Sequence, residues 1–145
     1  MAQYVLTEED VKNRLITPVL EAKNWDREQM YMEYAFTAGR INVFGKQAQR
    51  NKGSIKKVDY LLTTKANDMQ IAIIEAKAQS FSVSSGIQQA LNYAELLDVP
   101  FVYSSNGEGF LEHDMLTGNV REGRLEGVQF GKKTTVYVSK TIFID

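Results

Sequence analysis

With 145 residues, the chain is one domain's worth of polypeptide, long enough to bury roughly 70% of its unfolded surface. It is 43% hydrophobic and 24% charged, as an ordinary globular protein is, and holds no run of about 18 apolar residues that would cross a membrane as a helix. The lack of cysteine excludes disulfides and thiolate metal sites, and a net charge of −1 gives the chain as a whole no electrostatic pull on nucleic acid. The N-terminus, MAQYVLTEEDVK, lacks the basic start and apolar centre of a secretory signal, so the expected location is the cytoplasm.

Thr7 followed by Glu8-Glu9-Asp10 reads as a capping box with Asp in place of Glu. A first helix is expected from about Glu8, with Val11, Leu15, Val19 and Leu20 on its buried face. Pro18 should kink it, or restart it with Thr17 as a new cap. RINVF (40–44) reads as a short strand, and KVDYLLTT (57–64) and QIAIIEAKA (70–78) as two more, joined by a polar turn at Lys65-Ala66-Asn67-Asp68. Ser84-Ser85-Gly86 then opens a helix over 85–97 that carries Ile87, Ala90, Leu91, Ala94 and Leu97 inward. PFVYSS (100–105) and GFLEHDM (109–115) are strands on either side of the Asn106-Gly107 turn. Beyond Gly118 the signal weakens; TTVYVSKTIFI (134–144) is β-prone but has no evident place in a sheet. The order is a helix, a three-strand meander, a helix and two strands. It implies an α/β fold with a small mixed central β-sheet flanked by helices, and the strand–helix–strand unit at its centre demands a parallel, right-handed crossover.

Chemistry concentrates at the end of IAIIEAKA (71–78). Strand side chains alternate faces, so Glu75 and Lys77 share one with Ile71 and Ile73, and Ala72, Ile74, Ala76 and Ala78 line the other. Asp59 lies one hairpin earlier, where paired strands bring it beside Glu75. Two carboxylates converging at a sheet suit a hard divalent cation such as Mg²⁺, to which the Ala76 carbonyl adds a ligand. Lys77 on the same face would orient an attacking water and stabilise charge on a phosphate, which together form the inventory for metal-assisted phosphodiester hydrolysis. The bland alternative is a strand-end ion pair between Glu75 and Lys77. Gln89 and Tyr93, one helical turn apart, lie off the Ile87/Leu91/Ala94 face and near the helix start. KQAQRNKGSIKK (46–57) holds Lys46, Arg50, Lys52, Lys56 and Lys57 with no acid; it is either a solvated loop or an arm that contacts phosphates. Gly39 to Lys46 is no phosphate loop, because the glycine spacing is wrong and Gln47 stands where Ser or Thr is needed. His113, the single histidine, excludes a multi-histidine metal site and is best read as structural.

This constellation resembles the PD-(D/E)xK nucleases, and more closely the N-terminal nuclease domain of type I restriction endonuclease R subunits. The matching stretches are TEEDVKNRLITPVLEAKNW (7–25), GRI (39–41), VDYLL (58–62), IAIIEAKA (71–78), GIQQALNYAELLDVPFVYSSNG (86–107) and DMLTG (114–118). The resemblance implies a single endonuclease-like domain over 1–145 with its core at 7–118 and a β-prone tail at 119–145. It makes Asp59, Glu75 and Lys77 catalytic, with Asp59, Glu75, the Ala76 carbonyl and, from the N-terminal helix, Glu8 as ligands of Mg²⁺ or its substitute Mn²⁺. Gln89 and Tyr93 match the family's Q-x-x-x-Y element, which supports the site or the DNA end. Val58 stands in place of the proline that names the superfamily, and the proline-containing segment expected after Gly118 is missing. The implied activity is site-specific cleavage of double-stranded DNA. The implied partners are DNA, the ATP-driven motor domains of the same subunit, absent from this chain, and the modification and specificity subunits of a restriction complex. A DNA-binding or assembly module on the same fold that does not cleave is the alternative.

Overall fold

The computed structural model of the chain describes residues 4–37, 55–65 and 67–131. The first helix begins at the expected capping box. Thr7 Oγ1 accepts from the Asp10 N–H, the Asp10 carboxylate accepts from the Thr7 N–H, and α1 (Glu8–Val11) follows. A π-helical turn then takes over at Lys12–Ile16 before α2 (Thr17–Ala22). Pro18 supplies the reason, since in an unbroken α-helix its ring would strike the carbonyl four residues back. The widened turn removes that clash, and the Thr17 N–H bonds the Lys12 carbonyl five residues back. The expected cap at Thr17 is therefore not made: Thr17 is helical, and its hydroxyl shares a 2.7 Å hydrogen bond with the Tyr60 hydroxyl. The extra residue in the turn also rotates the buried face. Val11, Lys12, Ile16 and Leu20 are buried, while Leu15 and Val19, expected inside, pack at the core margin.

Among the described residues six strands form one sheet in the order β1 (Met30–Thr37), β2 (Ile55–Thr63), β3 (Gln70–Ala76), β4 (Phe101–Ser105), β5 (Gly109–Asp114) and β6 (Val120–Arg124). All neighbours are antiparallel except β3 and β4, which run parallel through the crossover helix α3 (Ile87–Leu97). This is the mixed α/β sheet expected from the sequence. The meander, however, opens with Met30–Thr37, and RINVF lies outside the described residues. Only Met30, Tyr34 and Phe36 of β1 are half-buried, so its hydrophobic pattern is too thin to announce a strand. β6 is exposed throughout and is held by its ladder to β5. The core also runs past Gly118, the boundary expected from the sequence, because Leu125, Val128 and Phe130 are fully buried.

Each face of the sheet carries its own core. Tyr60, Leu62, Ala72, Ile74, Ala76 and Tyr103 pack with Val11, Ile16 and Leu20 of the N-terminal helical segment. Val58, Leu61, Ile73 and Val102 pack with Ala90 and Ala94 of α3. Ile71 joins the first cluster rather than sharing the Glu75 face. A β-bulge explains this correction: Leu62 pairs with Ala72 and Thr63 with Gln70, leaving Ile71 as the extra residue. Ile74, fully buried at the sheet centre, anchors the strand that delivers Glu75. Ile74→Ala is expected to lower stability by about 2–5 kcal/mol, read from the midpoint of urea unfolding.

Candidate active site

The β2–β3 ladder ends at the pair Tyr60–Ile74. One step further, where Asp59 faces Glu75, side chains take over from backbone rungs. The Asp59 N–H donates to Glu75 Oε2 at 3.2 Å, and the Ala76 N–H donates to Asp59 Oδ2 at 2.8 Å. Each carboxylate is thus bonded to the backbone of the other's strand. Asp59 is 14% exposed and Glu75 6%, so the pair is largely withdrawn from solvent. Ala76 contributes its amide to this arrangement and buries its methyl.

Lys77 follows directly after the strand, its N–H bonded to the Ser105 carbonyl at 2.8 Å. Its ammonium lies 5.9 Å from the centre of the Phe81 ring. The ion pair weighed for Glu75 and Lys77 is not formed, since no described acid lies within 4.0 Å of this ammonium. Both residues flank Gly86, the cap of α3. A Cβ there would lie 3.3 Å from Glu75 Cβ, 3.4 Å from Lys77 Cε and 3.1 Å from Ser104 Oγ, which itself accepts the Gly86 N–H. The backbone angle at Gly86 suits any residue, so the glycine is there for space. Gly86→Ala is expected to crowd Glu75 and Lys77 and to weaken binding of a metal probe, read by calorimetry, with little change in helix content by circular dichroism.

Burial, reinforced by the Asp59 and Glu8 charges, pushes the Glu75 carboxyl up to about 8, against a smaller pull from the Lys77 charge. Burial and the Asp59 charge also raise Glu8, with Lys77 and Lys12 opposing, so Glu8 shares the field of this cluster from the first turn of α1. The donor set is carboxylate and backbone oxygen, the chemistry that a hard divalent ion accepts, and a proton held at Glu75 is what such an ion would displace. Among the described residues no three acidic or histidine side chains converge to cage an ion by themselves. An ion here would therefore keep several waters, as Mg²⁺ does.

Gln89 Nε2 donates to the Tyr93 hydroxyl at 2.6 Å, as their spacing predicts. Tyr93 is more of a core residue than its position off the apolar face suggested: its ring packs edge-on against Phe36 at 5.5 Å and joins the α3 cluster. Among the described residues no hydrogen bond links this pair to Asp59, Glu75 or Lys77. Of the basic segment, Lys46, Arg50 and Lys52 lie outside the described residues. Lys56 and Lys57 are exposed at the start of β2, where Lys57 pairs with Glu33 at 3.2 Å.

Sequence reasoning missed two residues, Lys12 and Glu33. Lys12, 2% exposed, bonds Glu33 and lies 3.4 Å from Asp59 Oδ1 and 3.8 Å from Glu9. Burial alone would lower its ammonium, but the Glu33 hydrogen bond and the Asp59 charge outweigh it and hold Lys12 above the ordinary lysine range. Its place one turn after Glu8 was the available signal.

Residues 7–128 match the family model described as type I restriction enzyme R protein N terminus. The chain belongs to that family. A curated relative, the type I restriction enzyme EcoAI endonuclease subunit of Escherichia coli, is 38% identical over 110 residues, 75% of this chain and 13% of the relative. A solved fragment described as an HsdR subunit of a type I restriction enzyme from Vibrio vulnificus is 34% identical. It superposes with a TM-score of 0.66 over 83% of this chain and 23% of its own. The chain therefore spans a small part of each of these relatives.

Proposed function

We propose that this chain is the Mg²⁺-dependent endonuclease domain of a type I restriction R subunit, built on a PD-(D/E)xK core and hydrolysing phosphodiester bonds of double-stranded DNA. One observation carries the reading: Asp59 and Glu75 meet where β2 and β3 part, each bonded to the other's strand, with Lys77 flanking the same glycine as Glu75. Asp59, Glu75 and the Ala76 carbonyl would hold the ion, with Glu8 contributing from α1. When bound, Mg²⁺ supplies charge neutralisation at the phosphate and a lowered pKa for water. Lys77 orients the attacking water and stabilises charge that develops on the phosphate. Gln89 and Tyr93 support the site or the DNA end, and Lys46, Arg50, Lys52, Lys56 and Lys57 contact phosphates of the backbone. The motor domains of the same subunit drive DNA with ATP, and the modification and specificity subunits select the site, in the cytoplasm.

That no three acidic or histidine side chains converge closely among the described residues favours a second reading, a DNA-binding or assembly module that does not cleave. Titration of the purified chain with MnCl₂, alongside plasmid cleavage by the assembled complex, separates the two. Binding that vanishes in Asp59→Asn and Glu75→Gln, together with loss of cleavage, is expected. Cleavage that survives both substitutions would overturn the nuclease assignment.

A further inference from the structure

We propose that Lys12 is a positioning residue: its buried ammonium orients the Asp59 carboxylate, and Glu33 holds that ammonium in place. The inference rests on the reading of Asp59 as a metal ligand. A lysine with 2% exposure is costly to bury unless its charge is used, and here it faces three acids, Glu9, Glu33 and Asp59. Asp59 is consequently held at both oxygens, Oδ1 by Lys12 at 3.4 Å and Oδ2 by the Ala76 N–H at 2.8 Å. A carboxylate fixed in this way cannot swing, and its remaining lone pairs keep one direction. Partners of this kind, which bind the ligand rather than the metal, set affinity by orientation.

Two further features tie Lys12 to this task. The first is the backbone that carries it. The Tyr60 hydroxyl donates to the Lys12 carbonyl at 3.1 Å and pairs with the Thr17 hydroxyl at 2.7 Å. Tyr60 adjoins Asp59, so the strand that presents the carboxylate also clamps the π-helical turn that presents the lysine. π-helical turns recur at functional sites, where they aim a side chain that a regular helix would point elsewhere.

The second is Glu33. It stands opposite Asp59, between the pairs Met32–Tyr60 and Tyr34–Val58, yet its φ is +56°, the left-handed region, inside a strand. A non-glycine residue keeps such a conformation only where its surroundings impose it. The Glu33 carboxylate reaches both Lys12 and Lys57, and those contacts hold the strained backbone.

The test is calorimetric titration of the purified chain with MnCl₂, with thermal melts in the absence of metal. Lys12→Met keeps the volume but removes the charge, and is expected to weaken Mn²⁺ binding by about 10–100-fold. Lys12→Arg should recover most of that loss. Glu33→Asn, which tolerates the left-handed backbone without the carboxylate, should weaken binding to an intermediate degree. A purely structural Lys12 would lower the melting temperature and leave Mn²⁺ affinity per folded molecule at the wild-type value, which would overturn the proposal. Should Lys12→Met fail to fold, Glu33→Asn and Tyr60→Phe carry the test, and wild-type affinity in both overturns it. Failure of the wild-type chain to bind Mn²⁺ at all removes the metal-site reading and this inference with it. Binding by wild type and Lys12→Met alike removes the inference alone.

Discussion

Lys77→Ala is expected to reduce DNA cleavage by the assembled restriction complex by about 10²–10³, or more if the ammonium also handles protons, while the chain stays folded. The size follows from where the charge is needed. An ammonium beside the scissile phosphate acts on charge that exists only in the transition state, so removing it raises the barrier without weakening ground-state binding. Stability should change little, because Lys77 makes no ion pair with a described acid and touches an aromatic ring only through the 5.9 Å approach to Phe81 among the described residues. At an exposed site that contact contributes about 0.5–1 kcal/mol. Parallel cleavage assays and thermal melts decide the matter. A destabilised Lys77→Ala that cuts at the wild-type rate per folded molecule would end the catalytic assignment of this lysine.

Glu75→Gln should make the metal-free chain more stable at alkaline pH and inactive at every pH. The sign follows from proton linkage. Glu75 is raised from 4.5 to about 8 in the folded chain, chiefly by burial and then by the Asp59 charge. The native state therefore holds a proton that the unfolded state has lost throughout that interval. Stability contributed by the protonated form is complete below the unfolded value, falls as pH rises and is gone above the folded value. The loss across the window is on the order of 3–5 kcal/mol. Glutamine keeps the shape and has no proton to lose, so urea midpoints measured from acid to alkaline pH should flatten in Glu75→Gln. Millimolar Mg²⁺ should flatten the wild-type profile in the same way, because the ion replaces the proton. A wild-type midpoint that stays level from acid to alkaline pH would show that Glu75 ionises without penalty.

Local signals in the sequence were sufficient for the elements whose cause is local. Thr7 and Asp10 form the capping box from their own side chains, and the Asn106 carboxamide bonds the N–H groups of Glu108 and Gly109 around the turn at Gly107. The apolar run of β3 and the periodic face of α3 likewise mark one strand, one helix and the parallel step between β3 and β4. The pairing of Gln89 with Tyr93 needed only helical spacing. Asp59 and Glu75 were readable as neighbours because a hairpin joins their strands.

The rest depended on contacts between distant segments. β1 is only partly buried and β6 is exposed throughout, and both are held by the ladder beside them, so their composition alone carries little trace of the sheet. Pro18 announced a disturbance, but whether the helix would kink, restart or widen was decided by Tyr60, whose hydroxyl receives Thr17 and bonds the Lys12 carbonyl. That choice rotated Ile16 inward and left Leu15 at the margin. It also carried Lys12 into the interior beside Asp59, 47 residues further along the chain. A lysine between valine and asparagine reads as a solvated charge, since burial is a property of what packs around a side chain and not of the side chain itself. The sequence by itself determined the chemistry available: two carboxylates and a lysine at one end of a sheet. Only the tertiary structure decided which further charges, Lys12 and Glu33, would be folded against them, because their energy of burial comes from partners that lie far along the chain.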